Sequence, residues 1–170
     1  MNRYILYNKP KKIDLKNIPV HLAKALFQIF KGLSYSTISL DTNYSGLVLF
    51  YSDEAFDIER RSKKIKVLLD IQFKNDLKND EIKNITSDIL SLDKNSTFVF
   101  KSSELGLETT LYCQNSITEI LNKFDPLIID RVLISNLDKF EIPRGNYRVL
   151  KDIEVFNFKS LSKSPNNTPR

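Results

Sequence analysis

The chain has 170 residues, of which 41% are hydrophobic and 11% aromatic, which is enough for the core of one globular domain. Its formal net charge of +5 favours polyanionic partners. No apolar run is long enough to span a membrane and the N-terminus lacks a secretion-signal pattern, so we expect a cytoplasmic protein with no membrane partner. The single cysteine, Cys113, excludes an internal disulfide, and the single histidine, His21, leaves no ligand set for zinc.

The first third of the chain predicts a strand, a helix and a second strand. The strand at residues 3–7 ends at Asn8-Lys9-Pro10, because proline cannot donate a hydrogen bond to a strand ladder. Pro19–Phe30 places its apolar residues on one face and begins with a proline, as a helix tolerates in its first turn. Gly46–Ser52 is the second strand. His21 has no acidic or nucleophilic partner nearby in the sequence, so we interpret it as a solvated or packed histidine.

The middle of the chain predicts an alternation of helices and strands. The predicted helices are Asp53–Arg60 and a small helix within Lys74–Lys94, and the predicted strands are Val67–Phe73, Thr97–Phe100 and Leu107–Cys113. The last two strands form an antiparallel pair if the residues between them turn the chain.

Five positive charges lie between the second helix and the strand that follows it. They are Arg60, Arg61, Lys63, Lys64 and Lys66. Such a segment attracts phosphates and makes binding sensitive to salt, but a solvated connection has the same composition. Both interpretations stay open at this point.

The last third predicts a helix, two strands and a tail. Ser116–Phe124 is amphipathic and begins with a Ser-x-x-Glu capping box. A strand follows Asp125, and a closing strand begins at Tyr147. We therefore expect a folded domain at residues 1–158 and a disordered tail at 159–170, where serine, lysine, proline and asparagine dominate. The fold class is α+β, with a mixed, mainly antiparallel sheet and flanking helices.

One acidic residue stands out because a short polar loop carries it directly into a strand. Asp41 lies in that loop, Gly46 follows, and the apolar run begins there. A carboxylate at the edge of a rigid sheet can be positioned accurately enough for catalysis. The alternative is a turn aspartate, since Asp-Thr-Asn is favourable turn chemistry.

Several segments of the chain, taken in sequence order, resemble those of the pseudouridine synthases, in particular the branch that includes RsuA, RluB, RluE and RluF. The family opens with Asn-Lys-Pro followed by Lys-Gly, and its active-site motif is Gly-Arg-Leu-Asp-x-x-(Thr/Ser)-x-Gly-Leu-Leu-Leu-Phe. The matching residues here are Asn8, Lys9, Pro10, Leu40, Asp41, Gly46, Leu47, Leu49, Phe50, Arg131, Leu137, Gly145, Tyr147 and Arg148. The resemblance extends from about Tyr4 to Val155.

The resemblance implies that the protein isomerises a uridine in structured, ribosomal RNA with Asp41 as the nucleophile. It implies no metal or nucleotide cofactor. Arg131 is the expected counter-ion of Asp41, with Lys66 as the second choice. The residues expected to bind RNA are Lys9, Lys11, Arg60, Arg61, Lys63, Lys64, Lys66 and Arg148.

The sequence also departs from the family at several positions. Ser39 replaces the arginine of the active-site motif, Lys66 replaces a tyrosine that stacks on the target base, and Lys12 replaces the glycine of the opening motif. Thr118 and Glu119 replace two arginines that face RNA in the relatives. Three hypotheses therefore stay open: a working synthase, a non-catalytic RNA-binding or ribosome-associated protein, and a domain that no longer binds RNA. The sequence does not specify an oligomeric state.

Overall fold

The computed structural model describes residues 2–62, 65–73, 78–92, 97–101, 106–111, 122–123, 126 and 128–163. The described helices are α1 (Val20–Ile29), α2 (Glu54–Ser62), α3 (Asn79–Leu92) and α4 (Asp152–Lys163). The described strands are β1 (Tyr4–Lys9), β2 (Ser36–Ile38), β3 (Ser45–Tyr51), β4 (Val67–Gln72), β5 (Thr97–Lys101), β6 (Gly106–Leu111), β7 (Ile128–Ile134), β8 (Leu137–Asp138) and β9 (Tyr147–Val149).

The strands form one sheet in the order β5-β6-β4-β7-β3-β1-β9, with β2 paired to β3 and β8 paired to β7. β7 runs parallel to β3, and the other pairings within the described ranges are antiparallel. The predicted α+β class with a mainly antiparallel sheet is confirmed. The predicted pairing of β5 with β6 is also antiparallel.

Strands β1 and β3 are covered on both faces, in keeping with their continuous apolar runs. Every residue of β1 and β3 is buried. On one face, Leu22 and Leu26 of α1 pack against Tyr7 and Phe50. The larger cluster on the other face includes Tyr4, Leu6, Leu47, Leu49, Phe56, Ile85, Ile89 and Phe158. Burial on both faces makes β1 and β3 the rigid base from which the flanking loops extend.

Helix α4 belongs to the folded domain and corrects the predicted start of the tail. We expected disorder from residue 159, but α4 continues to Lys163. Lys159 donates a hydrogen bond of 2.7 Å to Asp53 Oδ2, which also accepts one of 2.7 Å from the hydroxyl of Tyr4. Asp53 Oδ1 accepts from the Phe56 amide at the start of α2, at 3.1 Å. One buried carboxylate therefore joins α4, α2 and β1, a contact that composition alone could not predict.

Two predictions fall outside the described residues. Of the predicted helix Ser116–Phe124, the structure describes only residues 122–123. Cys113, predicted as a strand residue, is also outside the described ranges. Both stay predictions.

Candidate active site

Four strand ends meet at one edge of the sheet, which we call the site edge. Lys9 at the end of β1 pairs with Gly46 near the start of β3, and Ser45 pairs with Asp130 near the start of β7. Tyr147, the first residue of β9, pairs with Tyr7 of β1. The loop after β1, the loop before β3 and the turn before β9 are therefore neighbours at the site edge.

Asp41 lies in the loop before β3, and its side chain is exposed. Its Oδ1 accepts a hydrogen bond of 3.0 Å from the Asn43 amide, and its carbonyl accepts one of 3.0 Å from the Tyr44 amide. These are the contacts of an aspartate turn, so the turn chemistry expected of Asp-Thr-Asn is present. Among the described residues, Oδ2 has no hydrogen-bond donor, so one carboxylate oxygen remains accessible from solution.

Lys9 is buried and ties two loops of the site edge together. Its ammonium donates to the carbonyls of Pro10 at 3.1 Å and Ile13 at 2.9 Å in the loop after β1. It also donates at 3.2 Å to the carbonyl of Thr42, the residue next to Asp41. The predicted RNA-binding role of Lys9 stays a prediction, but its ammonium points into the loops rather than out to solvent.

The charge of Lys9 depends on its neighbours. Burial lowers the pKa of Lys9 to about 8, while the carboxylates of Asp41 and Asp14 act to raise it and the guanidinium groups of Arg131 and Arg144 act to lower it. Lys9 is therefore mostly protonated at pH 7, and its ammonium attracts the Asp41 carboxylate. This lysine is therefore a cation near Asp41. From the sequence, Lys9 was predicted only to bind RNA.

Arg131, the expected counter-ion, is fully buried and holds the chain just before Asp41. Its Nη2 donates to the carbonyls of Ile38 and Ser39, each at 3.0 Å, and its Nε donates to the carbonyl of Leu47 at 2.7 Å. Burial lowers the pKa of Arg131 to about 9, and the charge of Arg60 adds to the lowering. These hydrogen bonds supply donors to carbonyls that would be costly to bury without them. Through them, Arg131 joins β7 and β3 to the Asp41 loop.

A cluster around Asp130 was missed by sequence reasoning. Asp130 accepts hydrogen bonds from Lys139 at 2.6 Å, from Arg144 at 3.0 Å and from the hydroxyl of Ser45 at 3.1 Å. Burial acts to raise the pKa of Asp130, but the hydrogen bonds from Arg144 and Lys139 outweigh it, so the pKa is lowered. Arg144 also donates at 2.6 Å to Oδ1 of Asn8, so this cluster connects to the Asn-Lys-Pro segment.

The available sequence signal for this cluster was limited. Arg144 directly precedes Gly145, one of the matching residues, and Asn8 belongs to the Asn-Lys-Pro segment, but neither had an assigned partner. The contact of Arg144 with Asn8 depends on the turn before β9, where the Gly145 amide donates to the Asn8 carbonyl, and the position of Asp130 depends on the register that places it beside Ser45. Pairing between residues so distant in sequence cannot be read from local composition.

Within the described part of the chain, the predicted RNA-binding residues do not lie together. Lys11 is exposed in the loop after β1, at the site edge. Lys66 precedes β4, whose first residue, Val67, pairs with Ile134 at the end of β7, so Lys66 lies at the opposite edge of the sheet. Arg148 of β9 forms an ion pair of 2.7 Å with Glu154 of α4, so its charge is balanced within the protein.

Arg60 lies in α2, the helix that follows β3 in the chain. Arg60 of α2 donates at 2.6 Å to the hydroxyl of Tyr51, lies 5.7 Å from the centre of its ring, and donates at 3.3 Å to the carbonyl of Thr37. These contacts give Arg60 a packing role. Arg61 belongs to α2, with its side chain outside the described atoms, and Lys63 and Lys64 lie outside the described residues.

Two residues at or beside positions where the family that the sequence resembles has glycine adopt a conformation that favours glycine; Lys12 stands at one such position, and Ser135 or Asn136 stands at the other. Lys12 has φ of 70° and Ser135 has φ of 55°. This left-handed region costs an ordinary residue about 1 kcal/mol or more, because its Cβ approaches the following carbonyl. The Lys12 amide donates at 2.7 Å to the carbonyl of Thr42, so the strained residue supports the Asp41 loop.

Replacing Lys12 by glycine is expected to raise the free energy of unfolding by about 0.5–1 kcal/mol, because the strain disappears and the backbone hydrogen bond remains. Lys11→Gly, next to it but without a positive φ, should lower that free energy by a similar amount through chain entropy. Urea denaturation of both variants measures the difference. Destabilisation by Lys12→Gly equal to that of Lys11→Gly would contradict the explanation.

The described residues thus define an α+β domain with a carboxylate, a buried lysine and a buried arginine grouped at one sheet edge. No protein-family model and no curated protein matches the sequence. A similar solved structure is described as "Structure of H/ACA RNP bound to a substrate RNA containing 2'-deoxyuridine". Its chain is 11% identical with a TM-score of 0.41, over 82% of this chain and 49% of that chain. This protein spans about half the length of that chain.

A separate finding concerns membranes. Within residues 2–62, 65–73, 78–92 and the other described ranges, no helix combines the length and apolar character needed to cross a bilayer.

Proposed function

We propose that the protein is an RNA pseudouridine synthase that isomerises a uridine of structured RNA, with Asp41 as the nucleophile. The RNA class we favour is ribosomal, on the resemblance to the branch described above. The observation that carries the proposal is the convergence of separate motif segments on the site edge. Asn8 and Lys9, the Asp41 loop with Gly46, Arg131, and the Gly145 turn are distant in sequence but are joined by hydrogen bonds and strand pairing.

The proposed reaction begins with flipping of the target nucleotide out of its stack, at a cost of a few kcal/mol that contacts to RNA must offset. Asp41 then attacks the nucleotide or assists loss of the uracil, so the bond from the sugar to nitrogen breaks. The ring turns and rejoins the sugar through carbon; the proton lost from that carbon is balanced by one gained at nitrogen. The product is an isomer of the substrate, so no oxidant or other reactant is consumed.

The protein's own groups would serve this reaction through position and charge. Lys9 and the Lys12 amide both donate to the carbonyl of Thr42, which restrains the residue next to Asp41. Arg131 restrains Ile38 and Ser39, which lie just before Asp41 in the chain. A nucleophile held by its loop loses less entropy on reaching the reactive geometry. The nearby ammonium of Lys9 supplies part of the positive charge that Ser39 cannot.

A second candidate function is RNA binding without catalysis. The observation that favours it is the exposure of Asp41, together with Ser39 at the arginine position and Lys66 at the opposite edge of the sheet. An exposed carboxylate is excluded from water only if the RNA itself closes over it. The two candidates therefore differ in whether bound RNA completes the site.

The deciding experiment is a transcriptome-wide map of pseudouridine in cells with the chain, without it, and with it restored. The synthase proposal expects at least one RNA position that loses the modification on deletion and regains it on restoration. If no position changes while the purified protein binds structured RNA in a salt-sensitive manner, the binding function is supported instead. If it binds no RNA even at low salt, both candidate functions are contradicted.

A further inference from the structure

Two partly exposed cations at the site edge are held by one buried carboxylate. The side chains of Arg144 and Lys139 are 41% and 31% exposed, and that of Asp130 is 12% exposed. Two positive charges against one negative charge leave a net positive group at the surface. Because Asp130 already fixes both cations, their side chains would lose little further conformational entropy when they bind an anion.

Arg144 is anchored in a way that keeps part of its guanidinium available. Its hydrogen bonds, to Asp130 Oδ1, Asn8 Oδ1 and the Lys9 carbonyl at 3.5 Å, all use Nη1 among the described residues. The edge formed by Nε and Nη2 makes no bond within the described part of the chain. That edge can bind two oxygens of one phosphate at once.

Lys139 also keeps donors available for an anion. Its ammonium has one hydrogen bond, at 2.6 Å to Asp130 Oδ2, so further protons can be donated to an anion. The two cations are joined through the two oxygens of a single carboxylate. They therefore form one group with a fixed separation rather than two independent surface charges.

We propose that Arg144 and Lys139 form a phosphate-binding subsite for the RNA backbone beside the Asp41 loop, held in place by Asp130. The inference rests on the proposed RNA function and names a binding site for it. The location follows from the structure: Arg144 contacts Asn8 and Lys9, and Lys9 donates to the residue next to Asp41. A phosphate bound here would position the RNA backbone near a nucleotide presented to Asp41.

The test is the salt dependence of binding of the full chain to a uridine-containing hairpin RNA, by fluorescence anisotropy. Arg144→Gln is expected to weaken binding about tenfold near 0.1 M salt and to reduce the slope of log affinity against log salt by about 1. Lys139→Gln should reduce the slope by a similar amount. Lys83→Gln, at an exposed lysine of α3, removes the same charge elsewhere and should leave both quantities near wild type.

A conservative variant separates binding from folding. Arg144→Lys keeps the charge and a donor toward Asp130 and Asn8, so the salt slope should remain while affinity falls severalfold through loss of the second phosphate contact. Thermal unfolding of each variant checks that the fold is intact. If wild type binds RNA and Arg144→Gln and Lys139→Gln both match it, the subsite is wrong and the proposed function stands. If wild type binds no RNA, the proposed function fails, and the subsite fails with it.

Discussion

Asp41→Asn is expected to lower pseudouridine formation by on the order of 10⁴-fold or more, as loss of a catalytic nucleophile does in other enzymes. The fold should be unaffected. An asparagine Oδ1 can accept the same 3.0 Å hydrogen bond from the Asn43 amide, so the turn is retained. The exposed side chain also has no packing to lose, and the free energy of unfolding should change by less than about 0.5 kcal/mol.

Asp14→Asn is the matched control for this prediction. Asp14 Oδ1 accepts a 2.9 Å hydrogen bond from the Lys16 amide, the same turn that Asp41 makes with Asn43. Both carboxylates act to raise the pKa of Lys9, Asp41 the more strongly, so both variants change its surroundings in the same direction. Restoring the deleted chain with each variant and measuring pseudouridine at an affected position separates the two. Equal activity of the two variants would contradict a catalytic role for Asp41.

Gly46→Ala is expected to lower the free energy of unfolding by more than about 3 kcal/mol and to leave little folded protein. A Cβ at this position would lie 2.3 Å from the Arg131 carbonyl oxygen and 2.5 Å from the Arg131 amide nitrogen. It would also lie 2.8 Å from Oδ1 of Asp130. Backbone atoms of a central strand cannot move aside cheaply, so β7 would separate from β3. The buried side chains of Asp130 and Arg131 would then lose their positions.

Gly145→Ala separates the effect of conformation from that of close approach. Gly145 has φ of 89°, against 116° at Gly46, so both positions strain an alanine. The nearest atom to a Cβ at Gly145 is Cγ of Pro10 at 3.8 Å, an ordinary contact. This control should therefore lose only about 1 kcal/mol. Circular dichroism during urea denaturation measures both variants, and similar losses would mean that the close approach of β7 contributes little.

Most of the fold could be predicted because the type of each main element follows from the spacing of apolar residues over a few neighbouring positions. The one-sided apolar spacing of α1 and the apolar runs of β1 and β3 predicted elements that the structure has, within one or two residues at most ends. The short strands β2 and β8 were not predicted. They have three and two residues, too few for a periodic signal. Helix α4 was not predicted, and its last residues were assigned to the tail because Ser160 and Lys163 resemble tail composition, while Lys159 binds a partner far away in sequence.

The candidate site was only partly predictable, because its contacts depend on strand register. The resemblance marked Asp41, Lys9, Gly46 and Arg131 as a set through motif order, and Lys12, where the motif it resembles has glycine, has the left-handed backbone that favours glycine. The catalytic and RNA-binding roles of these residues stay predictions. The sequence could not indicate that Lys66 lies at the opposite edge from the Asp41 loop.

The amino-acid sequence by itself determined the order and kind of the main elements, because apolar periodicity and turn residues act over a few neighbouring positions. Only the tertiary structure decided which charges meet. Asp130 reaches Arg144 and Lys139 because β7 lies parallel to β3 with Asp130 beside Ser45, and Lys9 is buried because two loops close over the end of β1. Coulomb interactions and hydrogen bonds depend on distance in space, which the chain sets by packing its sheet and not by the spacing of its residues.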